Sequence, residues 1–258
     1  RPQRPPAAAP TPLRLAISPL DNQLRGHVRH AGEQLRGELP GQELTMHAAS
    51  NWEADAESLD ACHRDIATAD IVVVTMLFME SHIQAVHAQL LARRDKCDAM
   101  ICCMSAAEVM KLTRMGRFSM DGEAKGPMAL LKRLRGKSSK SSKGAGAQQL
   151  SILRQLPRIL RFIPGTAQDL RVYFLTLQYW LAASEENVCR MVLFLVDRYA
   201  SGPREGLRGT LKAGTPIEYP ETGLYHPNLK NRIGTRLGDL PKQRGKASGT
   251  IGLLVMRS

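Results

Sequence analysis

The chain has 258 residues, with 36 Lys+Arg against 24 Asp+Glu, a formal net charge of +12, 43% hydrophobic and 23% charged residues. That is the balance of an ordinary globular protein, and it excludes a collagen-like or wholly disordered chain. The best apolar runs, Ile71–Met79 and Val192–Val196, fall far short of the ~20 residues that a transmembrane helix needs.

Residues 1–12 form a Pro/Ala-rich tail without the apolar stretch of a secretory signal. The chain does not start with Met, which reads either as a segment of a longer chain or as a processed, loosely ordered tail. From Leu13 the pattern alternates. Leu13–Ile17 reads as a strand, and Leu24, Val28, Leu35 and Leu39 lie along one side of a helix. Leu44, Met46 and Ala48 alternate as on a strand, and Ala56, Leu59, Cys62 and Ile66 mark a second helix. Ile71–Val74 is a continuous β-branched run, as expected of a strand buried on both faces. Ile83, Val86, Leu90 and Leu91 give a third helix, Ala99–Met104 a fourth strand and Ala106–Met115 a fourth helix. Fourfold alternation predicts an α/β domain over 13–117, with a Rossmann/flavodoxin-like parallel sheet and helices packed on it.

Ligands of such sheets bind beyond the carboxyl ends of the strands. Asp21, Glu80 and Glu108 fall near that rim. A carboxylate cluster can hold a metal or act as acid and base. Acids that open helices also favour the positive end of the helix dipole, and Glu80 and Glu108 stand at helix starts, so capping is the preferred reading.

Most of the positive charge sits in the middle of the chain. Between Lys111 and Arg161 there are 13 Lys+Arg and only two acids, Asp121 and Glu123. Residues 118–147 read as a basic flexible linker centred on Gly136–Gly146, with a spacer as the plain reading and an RNA or acidic-membrane contact as the alternative. No aromatic residue interleaves its lysines, so bases have no stacking platform. Gly136-Lys137-Ser138 imitates the end of a P-loop, but position 131 is Leu131 rather than the Gly the motif needs.

Residues 148–202 read as a helical segment. Gln148–Phe162 is a helix interrupted at Pro157. Thr166–Ala182 carries a wide apolar stripe through Leu170, Tyr173, Phe174, Leu177, Trp180 and Leu181, with Thr166 and Asp169 spaced as at a helix start. Ser184 caps a further helix, with Glu185 and Glu186 in its first turn, and Gly202-Pro203 stops it. The aromatic residues here fit either a helix-hairpin core or a surface for a flat ligand. Residues 203–258 read as an irregular loop region ending in a strand, Ile251–Met256.

Five cysteines with no C-x-x-C pair fit a reducing, cytoplasmic setting. Cys102 and Cys103 point to opposite faces of their strand and read as buried, inert thiols. The pairs His27/His30 and His82/His87 have no third ligand nearby in sequence. No nucleophile elbow or H-E-x-x-H occurs, so no catalytic and no metal-ligating residue is assigned.

Several long, irregular runs together resemble the large, porphyrin-binding H subunit of magnesium chelatase, of the bacteriochlorophyll type. They include Ala69–Val73, Val109–Phe118, Gly126–Lys132, Leu156–Arg171, Tyr173–Leu181, Ser184–Asn187, Val196–Ala200 and Glu218–Pro227. The resemblance covers about Leu13 to Ser258, and places the chain as the amino-terminal part of that large protein, with its last strand the first of the chelatase body. It implies an enzyme that inserts Mg²⁺ into protoporphyrin IX for (bacterio)chlorophyll biosynthesis. ATP is then consumed by AAA+ I and D subunits and not bound here, and the partners are those subunits and the rest of the H chain. No nucleic acid is expected, and contact with the photosynthetic membrane stays open. Tyr179, Trp180, Glu185 and Glu186 are the candidates for contact with porphyrin or a subunit. The other reading is a non-enzymatic α/β binding module whose basic linker docks on RNA or an acidic membrane.

Overall fold

The computed structural model describes residues 13–18, 22, 24–121, 155–219, 222–229 and 232–241. It begins with the alternation read from the sequence: β1 (Leu13–Ser18), α1 (Arg25–Leu35), β2 (Gln42–Met46), α2 (Ala56–Thr68), β3 (Ile71–Thr75), α3 (Glu80–Arg94) and β4 (Ala99–Cys103). The four strands are parallel, in the order β2-β1-β3-β4. Asp55 caps α2 by accepting a hydrogen bond from the Ser58 amide, and Glu80 stands in the first turn of α3.

The fourth helix is shorter than its sequence pattern implies. α4 covers only Ala107–Met110, and the chain then turns into an antiparallel hairpin, β5 (Arg114–Met115) and β6 (Phe118–Ser119), that extends the sheet beyond β4. Two features override the helical pattern. Gly116 takes a left-handed φ of 57° at the turn. The Thr113 hydroxyl both donates to the Cys102 carbonyl (3.1 Å) and accepts from the Cys102 amide (3.0 Å), pulling the chain alongside β4. Arg94 of α3 fixes the hairpin by donating to the Leu112 carbonyl, to Ser119 Oγ and to Asp121.

The strand order decides where the helices go. Right-handed crossovers place α1 on one face, and because the chain then reverses direction across the sheet, α2 and α3 both fall on the other. The cores agree. Val72, Val74, Met100 and Cys102 pack with Cys62 and Ile66 of α2 and Ile83, Val86 and Leu90 of α3. Ile71, Val73, Ile101 and Cys103 face α1 and need more cover than one helix gives. That cover comes from α5 (Thr166–Ala182) and α6 (Glu185–Tyr199), which join Val28, Ala31 and Leu35 of α1 in the same core. Leu156 and Leu160, on the helical run 155–160 that contains Pro157, are buried there too. The late helices are thus one layer of the α/β unit, not a hairpin with a core of its own.

Two polar locks fasten this layer. At the amino ends of β3 and β4, Asp70 and Asp98 receive Arg204, from the 3₁₀ turn Gly202–Leu207 after α6, at 2.7 and 3.4 Å. The side chains of Arg204 and Asp98 are only 13% and 7% exposed. Asp70 also accepts the Arg14 amide, and Asp98 the Ser201 amide. In the second lock, Asp169 accepts the Arg117 amide (2.9 Å) and the Tyr199 hydroxyl (3.0 Å). α5 does begin at Thr166 with Asp169 in its first turn, as their spacing implies, but the carboxylate does not cap it. The cap of α5 is Gly165, which has no side-chain bond, and the carboxylate is taken up by the β5–β6 turn.

Two compact units emerge, residues up to Ile217 and residues from Glu218. The described part of the second holds a small antiparallel pair, β7 (Leu224–Tyr225) with β8 (Ile233–Gly234). The expected linker 118–147 starts too early, since Phe118–Ser119 is strand β6; the rest of it, from 122, lies outside the described residues, as do the remainder of 122–154, residues 242–258 with the strand expected at Ile251–Met256, and the tail.

A Cβ on Gly116 would meet the Asp169 carboxylate at 2.6 Å, in a left-handed conformation that L residues disfavour. Gly116→Ala should therefore destabilise the chain by about 1–3 kcal/mol, read as a lower urea midpoint. An unchanged midpoint would mean that the turn gives way freely.

Candidate functional site

Three places could serve a ligand or partner: the carboxyl rim of the sheet, the α5–α6 junction, and the groove beside the edge strand.

At the rim, β3 and β4 end side by side, Thr75 opposite Cys103. Each is followed by a methionine in the left-handed region, Met76 (φ 58°) and Met104 (φ 48°). The two turns are tied together. The Leu77 amide donates to Ser105 Oγ (3.1 Å), Ser105 Oγ donates to the Cys103 carbonyl (3.1 Å), and the Ala106 amide donates to the Leu77 carbonyl (2.9 Å). Left-handed residues other than Gly cost free energy and persist only where their surroundings hold them. Glu80 and Glu108 are exposed in the first turns of α3 and α4, where the helix dipole favours them, and Glu80 accepts from Gln84. Asp21 lies outside the described residues. Among the described residues no three His, Cys, Asp or Glu come together to hold a metal ion.

The histidines are dispersed. His47 bonds Asp65 (2.7 Å), His63 bonds the Ala85 carbonyl (2.7 Å), and His82 is buried with its ring edge-on to Trp52 and 3.7 Å from Glu53. His27 and His30 are exposed on α1, with His30 3.6 Å from Glu185, and His87 is half-buried.

At the junction, Ser184 caps α6 as its spacing predicts, accepting the Asn187 amide at 3.2 Å. Glu186 pairs with Arg190 one turn on, and Glu185 faces His30. Tyr179 and Trp180 are buried. The Tyr179 hydroxyl donates to the Gly214 carbonyl (2.6 Å), and its ring packs on Phe194. Of the four candidate contact residues, the two aromatics thus lie in the core and the two acids at the surface end of α6. Buried Asn187 holds the outgoing chain by exchanging two hydrogen bonds with the Ile217 backbone. The third place is an open groove of about 460 Å³ between α1 and β2, lined by Arg25, Arg29 and Arg36 together with Glu33 and Glu43.

All five cysteines are buried and free. Cys102 and Cys103 face opposite cores, as their adjacency on a strand requires. Burial pushes Cys97 up to about 11 and Cys62, Cys103 and Cys189 to about 12, and raises Cys102 as well. None is a nucleophile at neutral pH. Burial likewise raises Tyr173, Tyr179 and Tyr199.

The residues that organise the unit, Asp70, Asp98, Asp169, Asn187 and Arg204, carry no motif. The only signal for Asp70 and Asp98 was an acid one position before each buried strand.

A domain described as of unknown function, DUF3479, matches residues 14–174. The chain is 45% identical over 244 residues to the magnesium-chelatase H subunit of Cereibacter sphaeroides, covering 95% of this chain and 20% of the relative. It is 42% identical to the protein of the same name from Rhodobacter capsulatus, covering 98% of this chain and 21% of the relative. It is 30% identical to the chloroplastic magnesium-chelatase ChlH protein of Oryza sativa subsp. indica, covering 79% and 15%. The chain thus spans about a fifth of the length of the bacterial relatives.

The raised thiols and phenols fix the sign of an alkaline effect. The ordinary thiol value is 9.0, so above pH 9 the unfolded chain releases protons that the folded chain retains. Stability is then full well below pH 9 and falls as pH rises through 9 towards 12. In the presence of reductant, the urea midpoint should drop steadily between pH 8.5 and 10.5. A flat profile would contradict burial of these groups.

Proposed function

The chain belongs to the DUF3479 family, and on that premise we propose that it is the amino-terminal head of the porphyrin-binding H subunit of magnesium chelatase. The observation that carries this reading is 45% identity spread over 95% of the chain, which reaches past the domain match into the second unit. In this proposal the complete H protein, with AAA+ I and D subunits consuming ATP, inserts Mg²⁺ into protoporphyrin IX on the route to (bacterio)chlorophyll. Mg²⁺ and the porphyrin are substrates of the whole assembly.

The head's own part is non-catalytic. Mg²⁺ gives up its water reluctantly, so insertion needs a closed site with a base and oxygen or nitrogen ligands. In this reading that site belongs to the rest of the H protein. What the head offers is a folded α/β unit, and the Glu185/Glu186 end of α6 is where we place contact with the body or the motor.

Porphyrin fluorescence quenching tests the division of labour. The complete H protein should bind protoporphyrin IX, and this chain alone should bind at least tenfold more weakly. An H protein lacking the head should still quench, yet form Mg-protoporphyrin more slowly in the reconstituted chelatase. Tight porphyrin binding by this chain alone, or full chelatase activity without the head, would overturn the proposal.

A further inference from the structure

The segment before α5 shows large apolar side chains in water. Phe162 is 84% exposed, Ile159 54% and Ile163 39%. They fall within five consecutive positions, with Arg161 among them and Arg158 just before, and both arginines are exposed as well. Isolated exposed apolar residues mean little, but an aromatic and two isoleucines grouped together are a recognition feature.

This exposure is built, not frayed. Leu156 and Leu160, on the opposite side of the run, are buried in the main core. The side-chain amide of Gln168 on α5 donates to the carbonyls of Leu160 (2.9 Å), Arg161 (3.2 Å) and Ile163. Arg171, one turn further on, donates to the Pro157 carbonyl at 3.1 Å. The backbone is thus clamped from below along its length, and Ile159, Phe162 and Ile163 are held outward.

The described charges on the run itself, Arg158 and Arg161, are of one sign. Arg171 is held below its usual range, first by burial and then by the nearby guanidiniums of Arg198 and Arg161, so three cations crowd beside the patch. The nearest acid in sequence, Asp169, is engaged by the Arg117 amide and the Tyr199 hydroxyl.

We propose that Ile159, Phe162 and Ile163, flanked by Arg158 and Arg161, form a membrane-docking surface that inserts shallowly into a bilayer rich in anionic lipid. An apolar tip ringed by arginines matches the interface between headgroups and acyl chains, where aromatic and aliphatic side chains enter and guanidiniums meet lipid phosphates. No helix among the described residues is long and apolar enough to cross a membrane, so the contact is peripheral. The inference stands apart from the chelatase reading. It also differs from docking through the Lys137–Lys143 linker, because an apolar tip adds a contribution that salt does not screen.

The test is flotation of this chain with phosphatidylcholine vesicles containing about 30% phosphatidylglycerol, and with phosphatidylcholine alone. Binding is expected to the anionic vesicles only. Phe162→Asp should weaken it at least tenfold, and Arg158→Glu with Arg161→Glu by a similar factor, with circular dichroism unchanged because these side chains bury nothing. Deletion of 137–143 should cost less than Phe162→Asp. Absence of binding, equal binding to neutral vesicles, or loss on linker deletion with none on Phe162→Asp would each overturn the proposal. Capture of a protein partner that Phe162→Asp abolishes, without vesicle binding, would overturn it too and assign the patch to that partner instead.

Discussion

Strands β3 and β4 are buried on both faces along their whole length, and the rest of the unit answers to that burial. A parallel sheet exposes no face to water, and the reversal of strand order after β2 sends α2 and α3 to one side. The other side would lie open over β3 and β4 if the chain ended at the hairpin. α5 and α6 close it. Burying an apolar side chain there is worth roughly 1.5–3 kcal/mol each, and the two helices bring Leu170, Phe174, Leu177, Val188, Val192 and Leu195, among others, to the shared core. The stretch between the hairpin and the helical run is therefore an insertion inside one folding unit, not a boundary between two.

The polar locks give this closure its geometry. Arg204 holds the end of the α6 connection against the amino ends of two strands, and Asp169 holds the start of α5 against the hairpin turn. Removing one member of a buried ion pair leaves the other uncompensated, and such losses are among the largest that single substitutions produce. The proposed contacts lie at the surface: the acids on α6 and the apolar tip at Phe162.

Much of the fold was legible in the residues. Ile71–Val74 could only be a doubly buried strand, and Ser184 with Glu185 and Glu186 could only open a helix. What misled were places where tertiary contact outweighs local pattern. Ala106–Met115 has helical periodicity, but the left-handed Gly116 and the bridging Thr113 end the helix at Met110 and draw its last two residues into a hairpin. Thr166 and Asp169 do open α5, as their spacing implies, but the carboxylate, instead of capping it, serves a turn 52 residues earlier in the chain. Less of the site was legible. The density of aromatics on α5 signalled importance without saying whether it was core or surface, and Tyr179 and Trp180 prove to be core. The exposed run at Phe162 was visible only as part of a helix with a proline in it. Which of its apolar residues turn inward depends on Gln168 and Arg171, and no periodicity predicts that.

The central claim is that residues on both sides of the 122–154 stretch fold as one cooperative unit. The chain holds two tryptophans, one in each core: Trp52 beneath the α2–α3 face and Trp180 on α5. Urea unfolding of Trp52→Phe and Trp180→Phe, each followed by its remaining tryptophan and by far-ultraviolet circular dichroism, tests the claim directly. In each variant the fluorescence and dichroism transitions should coincide in midpoint and slope. A Trp180 transition separated from that of the helices and strands around Trp52 would contradict it.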